Sequence, residues 1–200
     1  MVSASLSLAL ALSLVAPAVN AAEVTKGSID TAIMTARYHE DVDTCNKRES
    51  EVDVFDRTSK VDGAPTTTQG VTVWTNAYNE CTGEFAFFYG TKALDAGELT
   101  RKGLDTATLD ATLSICDNQT FACTPAHVTL TWTGSGDTFR TTDGYKFWQD
   151  GAYTKFKETA LTRSAVDVQG SILSAGRDWA VGLQDVEFFS FSNSEQLIIK

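Results

Sequence analysis

"ATLDATLSIC", residues 107–116, alternates without a break. Ala107, Leu109, Ala111, Leu113 and Ile115 fall on one face, and Thr108, Asp110, Thr112 and Ser114 on the other. A period of two over this length is the pattern of a half-buried strand, because successive side chains leave a pleated backbone in opposite directions. "HVTLTWTG" (127–134) repeats it, with Val128, Leu130 and Trp132 inward and Thr129, Thr131 and Thr133 outward. The intervening "DNQTFACTPA" (117–126) is rich in turn formers, so the two strands are expected to form a hairpin.

The same test identifies strands along the rest of the chain. "ARYHEDVDT" (36–44) and "SEVDVFDR" (50–57) flank a polar turn at "CNKRE", and "GVTVWTNAY" (70–78) meets "EFAFFYG" (84–90) around "NECTG". "SAVDVQGSI" (164–172), "WAVGLQDVEFFSFS" (179–192) and "EQLIIK" (195–200) complete the set. Only "ALDAGELTRKGL" (93–104) reads as a helical turn, kept short by its two glycines. Short strands at regular spacing, with no βαβ rhythm, predict an all-β fold: a single antiparallel β-sandwich or jelly roll of about ten strands.

The N-terminus bears on the compartment. Met1–Ala16 is apolar but, at about 16 residues, too short for a comfortable membrane span. Pro17 ends the run, and Val19 and Ala21 have the spacing a signal peptidase needs, although no Lys or Arg precedes the run. The expectation is a signal peptide over 1–21, a single domain over 22–200, no membrane span after cleavage, and a secreted, periplasmic or cell-surface location. Cys45, Cys81, Cys116 and Cys123 are even in number and match no zinc spacing, so two disulfides are expected. Of three connectivities, the simplest joins Cys116 to Cys123 across one loop and Cys45 to Cys81 between two strand ends. A formal charge of −10, from 26 acidic and 16 basic residues, speaks against nucleic acid and anionic membranes as partners.

Three segments, "YNECTGEF" (78–85), "LDTATLDATL" (104–113) and "LTWTGSGD" (130–137), carry a likeness. Through them the chain resembles a group of secreted bacterial proteins that share a Cys-Thr-Gly turn, an alternating Ala/Leu strand and a Leu-Thr-Trp-Thr-Gly-x-Gly segment. The resemblance implies fold and compartment. It brings no activity and no functional residue. In "TWTGSGD", Trp132 is expected to anchor the core, and Gly134 and Gly136 to permit positive φ where the strand ends.

Nucleophilic catalysis has little to stand on: His39 and His127 are the only histidines, and G-x-S-x-G is absent. "RYHEDVD" (37–43) sets Arg37, His39, Asp41 and Asp43 on one face. Glu51 and Asp53 of the next strand point outward as well, so pairing would bring carboxylates together. Calcium suits such oxygen ligands. His39, Asp41, Asp43, Glu51 and Asp53 are therefore the metal candidates, against the reading of a solvated acidic face neutralised by nearby Lys and Arg. No cofactor is otherwise expected.

The most informative stretch for function is "YKFWQDGAYTKF" (145–156). Asp150-Gly151 is a strong signal for a two-residue turn. The implied register sets Trp148 opposite Tyr153, Lys146 opposite Lys155, and Tyr145 opposite Phe156. Tyr145, Phe147 and Phe156 then share one face, expected to join the core. Trp148, Tyr153, Lys146 and Lys155 share the other, expected to face solvent because two lysines stand opposite each other. Such a ring pair bordered by ammonium groups suits a sugar ring or an anionic polymer. The expected function is a secreted, non-catalytic β-module binding an extracellular polymer, an envelope component or a protein. The rivals are a carbohydrate-active enzyme on a jelly-roll scaffold and a purely structural envelope protein.

Overall fold

The computed structural model describes residues 24–61, 65–149 and 152–199. The expected signal peptide and the Asp150-Gly151 turn lie outside the described residues. Ten strands follow in order: β1 (Val24–Asp41), β2 (Asn46–Val61), β3 (Thr66–Asn79), β4 (Phe85–Ala93), β5 (Leu99–Lys102), β6 (Thr106–Asp117), β7 (Cys123–Gln149), β8 (Ala152–Ser174), β9 (Arg177–Asp178) and β10 (Leu183–Ile199). All pair antiparallel in one sheet.

The architecture is all-β, as the alternation requires, and disulfide-bonded. Each long strand pairs with its neighbour in sequence, and β10 pairs with both β8 and β1, so the sheet returns upon itself. The two layers of a sandwich are here opposite walls of one curled sheet. The join of β4 to β6 is thin: its ladder holds only Phe88↔Asp117 and Tyr89↔Cys116, with Asn118 N–H donating to the Phe87 carbonyl beside it. Cys45–Cys81 ties the β1–β2 turn to the β3–β4 turn, and Cys116–Cys123 closes the β6–β7 loop. Among the described residues no helix is long and apolar enough to cross a membrane.

The inward positions of "ATLDATLSIC" and "HVTLTWTG" are buried as expected, and meet Met34, Val52, Val54, Val71, Val73 and Phe188 from the facing wall. Trp132 spans the interior: its Nε1 donates to the Thr35 carbonyl of β1 at 3.2 Å. Residues 93–104 contain no helix. Leu99 is drawn into the core opposite Leu109, and β5 adds to the edge of β6, so burial and pairing override a weak local preference. The polar turn after β1 spans Val42–Cys45, because Asn46–Glu49 already pair with β1 and β3.

At "TGSGD" the strand does not end. It passes through a bulge between Ser135 and Thr138 and continues to Gln149. Gly136 alone of its two glycines has positive φ (69°). Arg163 braces this bend, donating to the carbonyls of Leu104 (3.1 Å) and Gly136 (3.0 Å) and pairing with Asp105. Gly170 serves a close approach: with φ 141°, an added Cβ would lie 1.8 Å from the Thr129 carbonyl oxygen.

Tyr38 is 3% exposed, and its hydroxyl finds no hydrogen-bond partner among the described residues. Burial, then the charge of Asp178, pushes the phenol up to about 12. An unfolded tyrosine ionises near 10, so the unfolded chain releases the proton first. Stability is full below about pH 10 and falls as the pH rises towards 12. Tyr38→Phe should raise stability by about 1 kcal/mol at neutral pH, since the ring stays and an unsatisfied hydroxyl goes. It should also flatten the alkaline decline in urea-unfolding midpoints. A variant less stable than the parent would mean that the hydroxyl is satisfied.

Candidate functional site

Beyond the bulge, β7 and β8 run on together as a ribbon whose other edge is held by β10, which pairs along β8 and, beyond it, with β1. The β7–β8 register is the one the Asp-Gly signal implies: Gln149↔Ala152, Trp148↔Tyr153, Phe147↔Thr154, Lys146↔Lys155 and Tyr145↔Phe156. The Trp148 and Tyr153 rings stand 5.2 Å apart, tilted by 49°. Trp148 remains 59% exposed although it contacts its neighbour. Four of the expected site residues, Trp148, Tyr153, Lys146 and Lys155, therefore lie on one face at the end of the ribbon.

The opposite face corrects an expectation. Tyr145, Phe147 and Phe156 do not enter the core. Tyr145 and Phe147 are exposed and Phe156 is half-buried. They stack on one another, with Tyr145 4.9 Å from Phe156 and 6.1 Å from Phe147. Alternation marks an apolar face but not which side of the sheet it takes: the register runs unbroken from Leu161, which packs against the core, to Phe156, so these three rings share the outer side.

Following the lysine face towards the body reveals groups that the hairpin alone did not bring to notice. After Lys146/Lys155 come Lys157, the pair Thr142/Thr159, and Arg140 beside Leu161. Thr142 and Thr159 hydroxyls meet at 3.3 Å. On β10, Ser194 lies next to Lys157 and Ser192 next to Thr159. Arg140, Lys157, Thr159, Leu161, Ser192 and Ser194 line a shallow cavity of about 320 Å³. Leu161, one of its lining residues, packs against the core, as does Val166. These two differ in parity, so the inward face of β8 changes across the bend at the bulge. Lys157 and Arg140 were legible in the alternation carried further from the turn. Ser192 and Ser194 were not, because only the β8–β10 pairing brings them there.

The charges on this face are clustered and of one sign. Elsewhere Arg37, Lys47, Arg48, Lys92, Arg101 and Arg163 each meet a carboxylate. Arg140, Lys146, Lys155 and Lys157 enter no ion pair among the described residues. On a chain of net charge −10 this concentrates positive potential in one place.

The acidic strand is organised differently. β1 and β2 pair as expected, but each candidate ligand has another engagement. His39 sits 3.2 Å from Glu49 and 3.2 Å from Asp41. Asp41 pairs with Lys47 at 2.6 Å, which holds its carboxyl below the usual range. Asp43 caps the turn, accepting from the backbone N–H groups of Cys45 and Asn46 and from the Asn46 side chain, and is lowered likewise. Glu51 pairs with Arg37, yet its burial raises it, and the neighbouring Asp53 adds to that. Asp53 accepts from Thr35 at 2.7 Å. Among the described residues no three metal-ligating side chains gather at one point. His127 lies outward with Asp110, at 2.8 Å.

Fold and site together define an all-β, disulfide-bonded chain whose curled sheet projects a ribbon with a cationic, aromatic-tipped face. Comparison with models of protein families and with curated proteins returned no match.

Proposed function

We propose that this chain is a secreted, non-catalytic β-module that binds an extracellular polymer through Trp148, Tyr153, Lys146 and Lys155. The observation that carries the reading is the Trp148–Tyr153 pair, with Trp148 exposed and Tyr153 half-buried, held across a fixed register beside two facing lysines. Ring pairs of this kind offer apolar area at small entropic cost, and ammonium groups at their border give direction to a polar ligand. Two disulfides and the apolar 1–21 segment support an extracellular location.

The test is a pull-down of the purified protein on a panel of insoluble and soluble polysaccharides, beside a Trp148→Ala/Tyr153→Ala variant. Because these rings lie outside the core, the variant should keep its unfolding midpoint while losing affinity by about tenfold or more. Equal binding by parent and variant, or none by either, overturns the reading.

A further inference from the structure

We infer that the polymer is an anionic glycan, a chain of sugars bearing carboxylate or sulfate groups, and that it lies along a track from Trp148–Tyr153 to the Arg140 cavity. This rests on the polymer-binding reading above and deepens it. Same-face positions on a strand repeat at roughly 6.8 Å, so the four steps from Trp148 to Arg140 cover roughly 27 Å. The order of chemistry along that length is rings, two facing lysines, Lys157 opposite Gly144, the Thr142/Thr159 hydroxyls, and Arg140. Gly144 leaves the third position without a second side chain, which clears room beside Lys157 for a ligand.

Two physical points select the ligand class. Lys146 and Lys155 face each other directly, an arrangement that lowers stability unless an anion sits between them. Among the described residues all four cations are without an acidic partner, and they stand together on one face, which points the same way. A single-stranded nucleic acid would present a phosphate at every residue to a body of net charge −10 and would seek successive stacking rings. This face offers one ring pair followed by hydroxyls. A glycan charged on only some of its sugars uses each feature in turn: a ring face on Trp148, anions on the lysines and Arg140, and hydroxyls on Thr142, Thr159, Ser192 and Ser194.

The experiment titrates the purified protein with heparin, polygalacturonate, a neutral galactan and oligothymidylate, at about 50 mM and about 300 mM NaCl. Two variants run beside it, Arg140→Gln/Lys157→Gln and Trp148→Ala/Tyr153→Ala, each checked for an unchanged unfolding midpoint. The expected result is binding to at least one charged glycan, about tenfold weaker at the higher salt and about tenfold weaker in the Arg140/Lys157 variant, with the galactan weaker still. Galactan binding that equals the charged glycans, is lost in the ring variant and is untouched by Arg140→Gln/Lys157→Gln overturns the anionic class and leaves the ring platform standing. Tighter binding to oligothymidylate than to either glycan overturns the glycan assignment. Binding to no probe in any form overturns both.

Discussion

Trp132→Ala is expected to remove about 4 kcal/mol of stability, read as a lowered urea midpoint with an unchanged slope. The indole is fully buried, so the substitution deletes the largest of the fully buried side chains and leaves a cavity between opposite walls of the sheet. It also strips the Thr35 carbonyl of the donor that reaches it from across the interior. Trp132→Phe separates the two effects: most of the volume returns, the N–H does not, and a loss of about 1–2 kcal/mol is expected. Trp148→Ala, a change of the same residue type in the exposed ribbon, should stay within about 1 kcal/mol of the parent, the range of a cross-strand ring pair. A small effect at Trp132 would show that the two walls do not depend on each other. A large one at Trp148 would show that the ribbon is part of the core.

Loss of the Cys45–Cys81 bond should be of similar size, about 4 kcal/mol on the chain-entropy estimate for a separation of 36 residues. Its partner, Cys116–Cys123, closes only 7 and should contribute about 2.5 kcal/mol. Cys45→Ser/Cys81→Ser and Cys116→Ser/Cys123→Ser variants, unfolded in urea, test the order. Two further considerations act in opposite directions. The β2–β3 ladder already brings the Cys45 and Cys81 turns together, with Glu80 N–H donating to the Cys45 carbonyl at 2.7 Å, and this matters if it persists in the unfolded chain. Against it, Cys45 and Cys81 hold two hairpins together, whereas Cys116 and Cys123 already face each other within one hairpin. A reversal of the order would mean that residual structure in the unfolded state, not loop length, decides.

Much of this protein was written locally. Strict alternation at 107–116 and 127–134 determined two buried strands and their hairpin, because a side-chain period of two leaves each residue only one choice of face. Asp150-Gly151 determined the ribbon register out to Tyr145↔Phe156, since a two-residue turn admits one pairing. The simplest cysteine pairing is the observed one, because each pair joins turns that neighbouring strands bring together.

Other features were decided only in three dimensions. Val24–Thr35 lacks a clear alternation and was not recognisable as strand. It is extended because β2 and β10 bond to it on both edges, and Thr31, Ala32, Met34 and Thr35 are buried regardless of parity. Residues 99–102 gave up a helical turn for a place beside Leu109. The aromatic face of Tyr145, Phe147 and Phe156 looked like core, yet the register that continues from core-packed Leu161 puts it on the outer side of the sheet, where Tyr145 and Phe147 are exposed. The cationic track depends on a one-residue bulge at Ser135–Thr138 and on β10 arriving beside β8. Neither follows from a period of two, because a bulge changes which residues face inward and long-range pairing is chosen by the whole sheet as it closes.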